Sequence, residues 1–178
     1  GLAARDPHLA ADLGRESIQS GVPVEFAGLL EAIARSNRPL ADSLAADGAD
    51  AASRLGQGPI DVWGVASYVF PELRLSVPEP GAQAPPLDLR RRVLEAAFVV
   101  TSRYVAALVE ELAAAGVGGQ SIDPASVYGG QGLMISYGSA RQLVPLFDAH
   151  HPERAGAFRV LVTQIEGAAP PDAHARVG

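Results

Sequence analysis

The sequence contains no cysteine and no lysine, and both absences narrow the chemistry open to this chain. Without cysteine it cannot form disulfides, use a thiolate nucleophile, or hold an iron–sulfur cluster or a cysteine-ligated zinc ion. Because all 14 basic residues are arginine, Schiff-base chemistry, covalently bound pyridoxal phosphate and the lysine of a P-loop are excluded as well. An arginine-only, alanine-rich composition is most simply explained by a high-GC bacterial genome.

The chain also lacks excess positive charge and long apolar runs. Its formal net charge is −6, which disfavours non-specific binding to nucleic acid or anionic lipid. The most apolar stretch, 96–115, is interrupted by Arg103, Glu110 and Glu111, and no stretch reaches the roughly 18 apolar residues of a membrane-spanning helix. We therefore expect a soluble protein without nucleic-acid binding or membrane insertion, with the cytoplasm slightly favoured.

The N-terminal part, 1–77, is predicted to be a lobe of short helices that ends in a strand. Asp6 followed by Pro7 is a good helix start, because the aspartate can cap the helix and proline suits its first turn. From Glu72 to Val77, apolar and polar residues alternate, which is typical of a half-buried strand. Four prolines and a glycine in 78–86 then predict a linker or surface loop.

The strongest helical pattern covers 87–115, where apolar residues recur every three or four positions on a wide stripe. We predict one long central helix there, with Leu94, Phe98, Val105 and Leu108 buried. Strands are predicted at 132–137 and 158–166, with a helix at 139–150 between them. The fold class predicted is therefore α+β, mostly helical, with about three strands. The composition of the tail, 167–178, cannot bury enough apolar surface to order itself, so we expect any ordered tail to lie against another surface.

The glycine-punctuated stretch 126–143 contains the first candidate site. If a strand ends before Gly138 and a helix begins at Ser139, free backbone N–H groups there could bind an anion, and Arg141 could add a planar donor fork. Gly138, Ser139 and Arg141 are thus candidate ligand-binding residues. The alternative is a plain strand–turn–helix connection, because the glycines do not match the dinucleotide-binding fingerprint.

Two adjacent histidines, His150 and His151, stand between acidic residues and could in principle ligate zinc. Neighbouring residues on a helix point about 100° apart, so one segment rarely uses both as ligands. We favour a helix C-terminus, where histidine meets the negative end of the helix dipole and Pro152 stops the helix. Neither a metal nor any other cofactor is predicted.

Three consecutive arginines, Arg90, Arg91 and Arg92, lie in the first turns of the long predicted helix, where their charge opposes the helix dipole. They are candidate partner-binding residues. They could meet acidic residues of the N-terminal helices or a partner subunit, or form a solvated surface patch.

No motif in the chain identifies a family, and no catalytic residue can be assigned. The first functional hypothesis is a non-catalytic protein-binding or assembly domain of a bacterial protein, with a protein partner or a second copy of the chain bound to it. The alternative is a small-molecule-binding enzyme or sensor with an anion site at Gly138–Arg141. The sequence does not decide whether the protein is an enzyme. The lack of cysteine, lysine and an assignable catalytic residue favours a protein without enzymatic activity.

Overall fold

A computed structural model describes residues 1–73, 84–116 and 129–168. Internal contacts divide the chain into two compact units, one formed by 1–57 and 61–100 and the other by 58–60 and 101–178. This division falls within the long helix. Part of the predicted linker at 78–86 lies outside the described residues, so the predicted domain boundaries stay a prediction, as does the docking of the tail beyond residue 168.

All regular structure in the described ranges is helical. Short 3₁₀ segments occur at Ile18–Ser20, Pro59–Val62 and Pro71–Leu73. No helix within these ranges combines the length and the apolar character needed to cross a membrane. The α-helices are α1 (Leu2–Arg5), α2 (Pro7–Ser17), α3 (Phe26–Ala34), α4 (Arg38–Leu55), α5 (Trp63–Val69), α6 (Leu87–Gly116), α7 (Gly129–His150) and α8 (Pro152–Ala168).

The predicted α+β fold is wrong, because the part of the chain that the structure describes is helical and contains no sheet. Residues 132–137 belong to α7 and residues 158–166 belong to α8. In α8 the buried positions Phe158, Val162 and Ile165 are three or four apart, and Val160 between them is exposed, which is the period of a helix. Glu72 and Leu73 lie in a 3₁₀ turn, and residues 74–77 lie outside the described residues.

The starts of two N-terminal helices follow the capping chemistry expected of their sequences. The Asp6 side chain accepts a hydrogen bond from the Leu9 N–H at 3.0 Å, and Pro7 occupies the first turn of α2 as predicted. Asn37 caps α4 in the same way. Such caps satisfy N–H groups that have no partner inside the helix, and each contributes about 1 kcal/mol.

In the first unit, α4 presents a buried face made almost entirely of small residues. Leu44 is the one large side chain among the buried residues of α4; the others are alanines and Gly48. Neighbouring helices can therefore approach closely. A Cβ added to Gly48 would lie 2.8 Å from Phe26 Cε1 on α3 and 2.9 Å from Val65 Cγ2 on α5.

The core of the second unit contains a helical hairpin of α7 and α8. Only His151 separates the two helices. Near this connection the rings of Phe147 and Phe158 stack with their centroids 4.0 Å apart, and both rings are fully buried. Leu133, Leu143 and Ile165 extend the apolar core along the hairpin.

Helix α6 begins at the predicted residue and ends one residue later than predicted. Of the four side chains predicted to be buried, Leu94, Val105 and Leu108 are buried, whereas Phe98 is only half-buried. Leu94 belongs to the first unit, and Val105 and Leu108 belong to the second. The helix therefore contributes apolar side chains to both cores.

We expect Leu108→Ala to lower the free energy of unfolding by about 2–5 kcal/mol, because it removes a buried side chain and leaves a cavity. The neighbouring Val109→Ala is the control, since Val109 is 52% exposed and Leu108 only 1%. Urea unfolding followed by circular dichroism measures both variants. Equal losses in the two variants would show that the buried face of α6 is assigned wrongly.

A close approach of the backbone at Gly64 in the first unit gives a second prediction. A Cβ at Gly64 would lie 2.3 Å from the Pro23 carbonyl oxygen, so Gly64→Ala should lower the free energy of unfolding by about 1–3 kcal/mol through overpacking. Gly28→Ala in α3 is the control, because a Cβ there meets no atom within 4 Å, and it should stabilise the helix by up to about 1 kcal/mol. A stabilised Gly64→Ala variant would contradict the close approach.

Candidate functional site

The anion site was predicted at the start of a helix, but no helix begins at Ser139. Gly138, Ser139 and Arg141 all lie in the interior of α7, where backbone N–H groups are bonded within the helix and are not available to an anion. The Ser139 side chain is buried and Arg141 is exposed. Glycines are typical of turns, but those of 129–138 belong to the helix, and the strand and turn predicted there are wrong.

Arg141 instead lies near a buried tyrosine one turn earlier on α7. The Tyr137 side chain is 3% exposed, and its hydroxyl donates a hydrogen bond to Glu166 Oε1 on α8 at 3.0 Å. Burial and the Glu166 carboxylate raise the pKa of Tyr137, while Arg141 acts in the opposite direction. This arrangement links α7 to α8 with a neutral phenol, so Tyr137 is a hydrogen-bond donor and not an activated nucleophile. No local sequence pattern indicates this pair, because its members are 29 residues apart.

A second buried tyrosine lies on α6 in the same unit. Burial is the main cause of the raised pKa of Tyr104; the charge of Glu111 raises it further, and the neighbouring Ser136 hydroxyl lowers it. Gly58 borders both side chains, since a Cβ there would lie 3.6 Å from Ser136 Oγ and from Tyr104 Cδ2. A tyrosine with a raised pKa stays protonated near neutral pH, so this group is suited to hydrogen bonding and not to proton abstraction.

Thr101 stands one helical turn before Tyr104 and is fully buried. Its hydroxyl has no hydrogen-bond partner among the described residues. A buried hydroxyl without a partner costs about 1–3 kcal/mol.

The adjacent histidines mark the end of α7, as predicted. His150 is the last residue of α7, and His151 connects it to Pro152, the first residue of α8. The His151 ring is buried against Phe147, with 6.1 Å between the ring centroids, and its Nδ1 lies 3.2 Å from Glu153 Oε1. Within the described ranges, no three histidine or acidic side chains are grouped so that they could hold a metal ion.

Of the three consecutive arginines, Arg92 meets an acidic residue of the N-terminal helices. Its Nε donates to Asp50 Oδ1 of α4 at 2.9 Å, and its Nη2 donates to Oδ2. These bonds raise the pKa of Arg92 and lower the pKa of Asp50. Arg91 is exposed and Arg90 is half-buried. A partner-binding role for the cluster stays a prediction.

Two further aspartates of α4 form similar contacts that sequence reasoning missed. Asp47 pairs with Arg15 of α2, whose Nε lies 3.0 Å from Asp47 Oδ2. Asp42 accepts from the Tyr68 hydroxyl of α5 at 2.7 Å and from Arg38 Nε at 3.1 Å. In the sequence these aspartates stand next to alanine or glycine residues of α4. Because those small residues form the interface with other helices, the aspartates lie at its edge.

Comparisons of this chain with protein families, with curated proteins and with solved structures found no match. Four of the groups described above connect two helices through an acidic side chain: Arg15, Tyr68, Arg92 and Tyr137.

We expect Tyr137→Phe to lower the free energy of unfolding near neutral pH by about 0.5–3 kcal/mol, because it removes the hydrogen bond to Glu166. Since the pKa of Tyr137 is raised in the folded state, its contribution is present below the ordinary tyrosine pKa of about 10 and is lost as the pH rises through the higher folded value. The difference between the original protein and the variant should therefore shrink above about pH 10. Urea unfolding over this pH range tests it, and a constant difference would contradict the assignment.

Thr101→Val should raise the free energy of unfolding by about 1–3 kcal/mol, because it replaces a buried, unpartnered hydroxyl with a methyl group of similar size. Thr163→Val is the matched control, since Thr163 is exposed and is the other threonine of the chain. Thermal unfolding of both variants measures the effect. A clear loss of stability in Thr101→Val would show that the hydroxyl has a partner after all.

Proposed function

We propose that this chain is a non-catalytic protein-binding or assembly domain of a bacterial protein. One observation carries the proposal: α2 has two leucines, Leu9 and Leu13, that are 47% and 49% exposed. They are four residues apart and therefore lie next to each other on one face of the helix. We refer to them as the leucine pair.

The opposite face of α2 already packs inside the first unit. Its buried residues are Ala10, Ala11 and Gly14, and a Cβ at Gly14 would meet the side chains of Leu29 and Leu44 at 2.9 Å. The leucine pair is thus not needed to attach α2 to its neighbours. Full burial of a leucine contributes about 1.5–3 kcal/mol, so a partner that covers the pair gains binding energy.

The small size of the pair sets the expected strength of binding. Stable complexes bury about 800 Å² on each partner, and two half-exposed leucines supply only part of this area. Helix α1, which packs against α2, adds the exposed side chain of Leu2. We expect a transient association with a protein partner or with a second copy of the chain.

The alternative from the sequence, a small-molecule enzyme or sensor, depended on an anion site at Gly138–Arg141. Those residues lie inside a continuous helix, so no observation favours that function and we do not propose it.

The proposal is tested with the double variant Leu9→Glu/Leu13→Glu. Sedimentation velocity over a range of protein concentrations measures self-association, and a photo-crosslinker at position 9 or 13 in bacterial cells detects a different partner. We expect association or crosslinking that the double variant abolishes, because charged side chains on this face oppose its burial.

Val160→Glu provides the control, because Val160 is 58% exposed on α8 in the other unit. This variant should associate like the original protein, and a crosslinker at position 160 should not yield the same products. The melting temperatures of both variants show whether the fold is retained. A monomer at every concentration, without crosslinks specific to positions 9 and 13, would overturn the proposal.

A further inference from the structure

We draw no further inference here: the strongest candidate, the exposed leucine pair of α2, belongs to the surface already proposed for protein binding, and nothing in the structure shows what covers it.

Discussion

The close approach of helices to the small-residue face of α4 is the constraint on which the first unit depends. Helices that meet through alanine and glycine come nearer to each other than helices that meet through leucine, and the contacts at Gly48 leave no room for a larger side chain. Dispersion attraction falls steeply with distance, so this short separation compensates for the little apolar area that each alanine buries. The alanine-rich composition is therefore compatible with a well-packed core.

The aspartates of α4 complement this packing at the edges of its small-residue face. Asp47 pairs with Arg15 of α2, Asp42 binds Tyr68 of α5, and Asp50 pairs with Arg92 of α6. Exposed ion pairs contribute only about 0–1 kcal/mol each. Because alanine and glycine give α4 a face with little relief, the polar contacts to α2, α5 and α6 restrict how far these three helices can slide along it. In the pairs of Asp47 and Asp50 the cation is arginine, whose guanidinium is not deprotonated in proteins.

The sequence predicted the helices of this protein better than its fold class. Capping residues locate the start of α2, and a sustained apolar period locates α6 to within one residue. The strand predictions at 132–137 and 158–166 were wrong. Glycine and β-branched residues favour turns and strands only weakly, and packing within the helical hairpin overrides these preferences. The Tyr137–Glu166 hydrogen bond joins residues that are far apart in the sequence, and the local pattern of apolar and polar residues does not predict such a pair. The candidate site at Gly138–Arg141 was predicted at a helix start after a strand, whereas these residues lie inside α7.

The single residue between α7 and α8 also has a kinetic consequence. His151 brings Phe147 and Phe158 together across only ten intervening positions, so closing this loop costs little chain entropy. Proteins rich in such local contacts fold faster than those that depend on distant pairings. The short loop therefore favours formation of the aromatic stack before contacts of larger sequence separation, such as Tyr137 with Glu166.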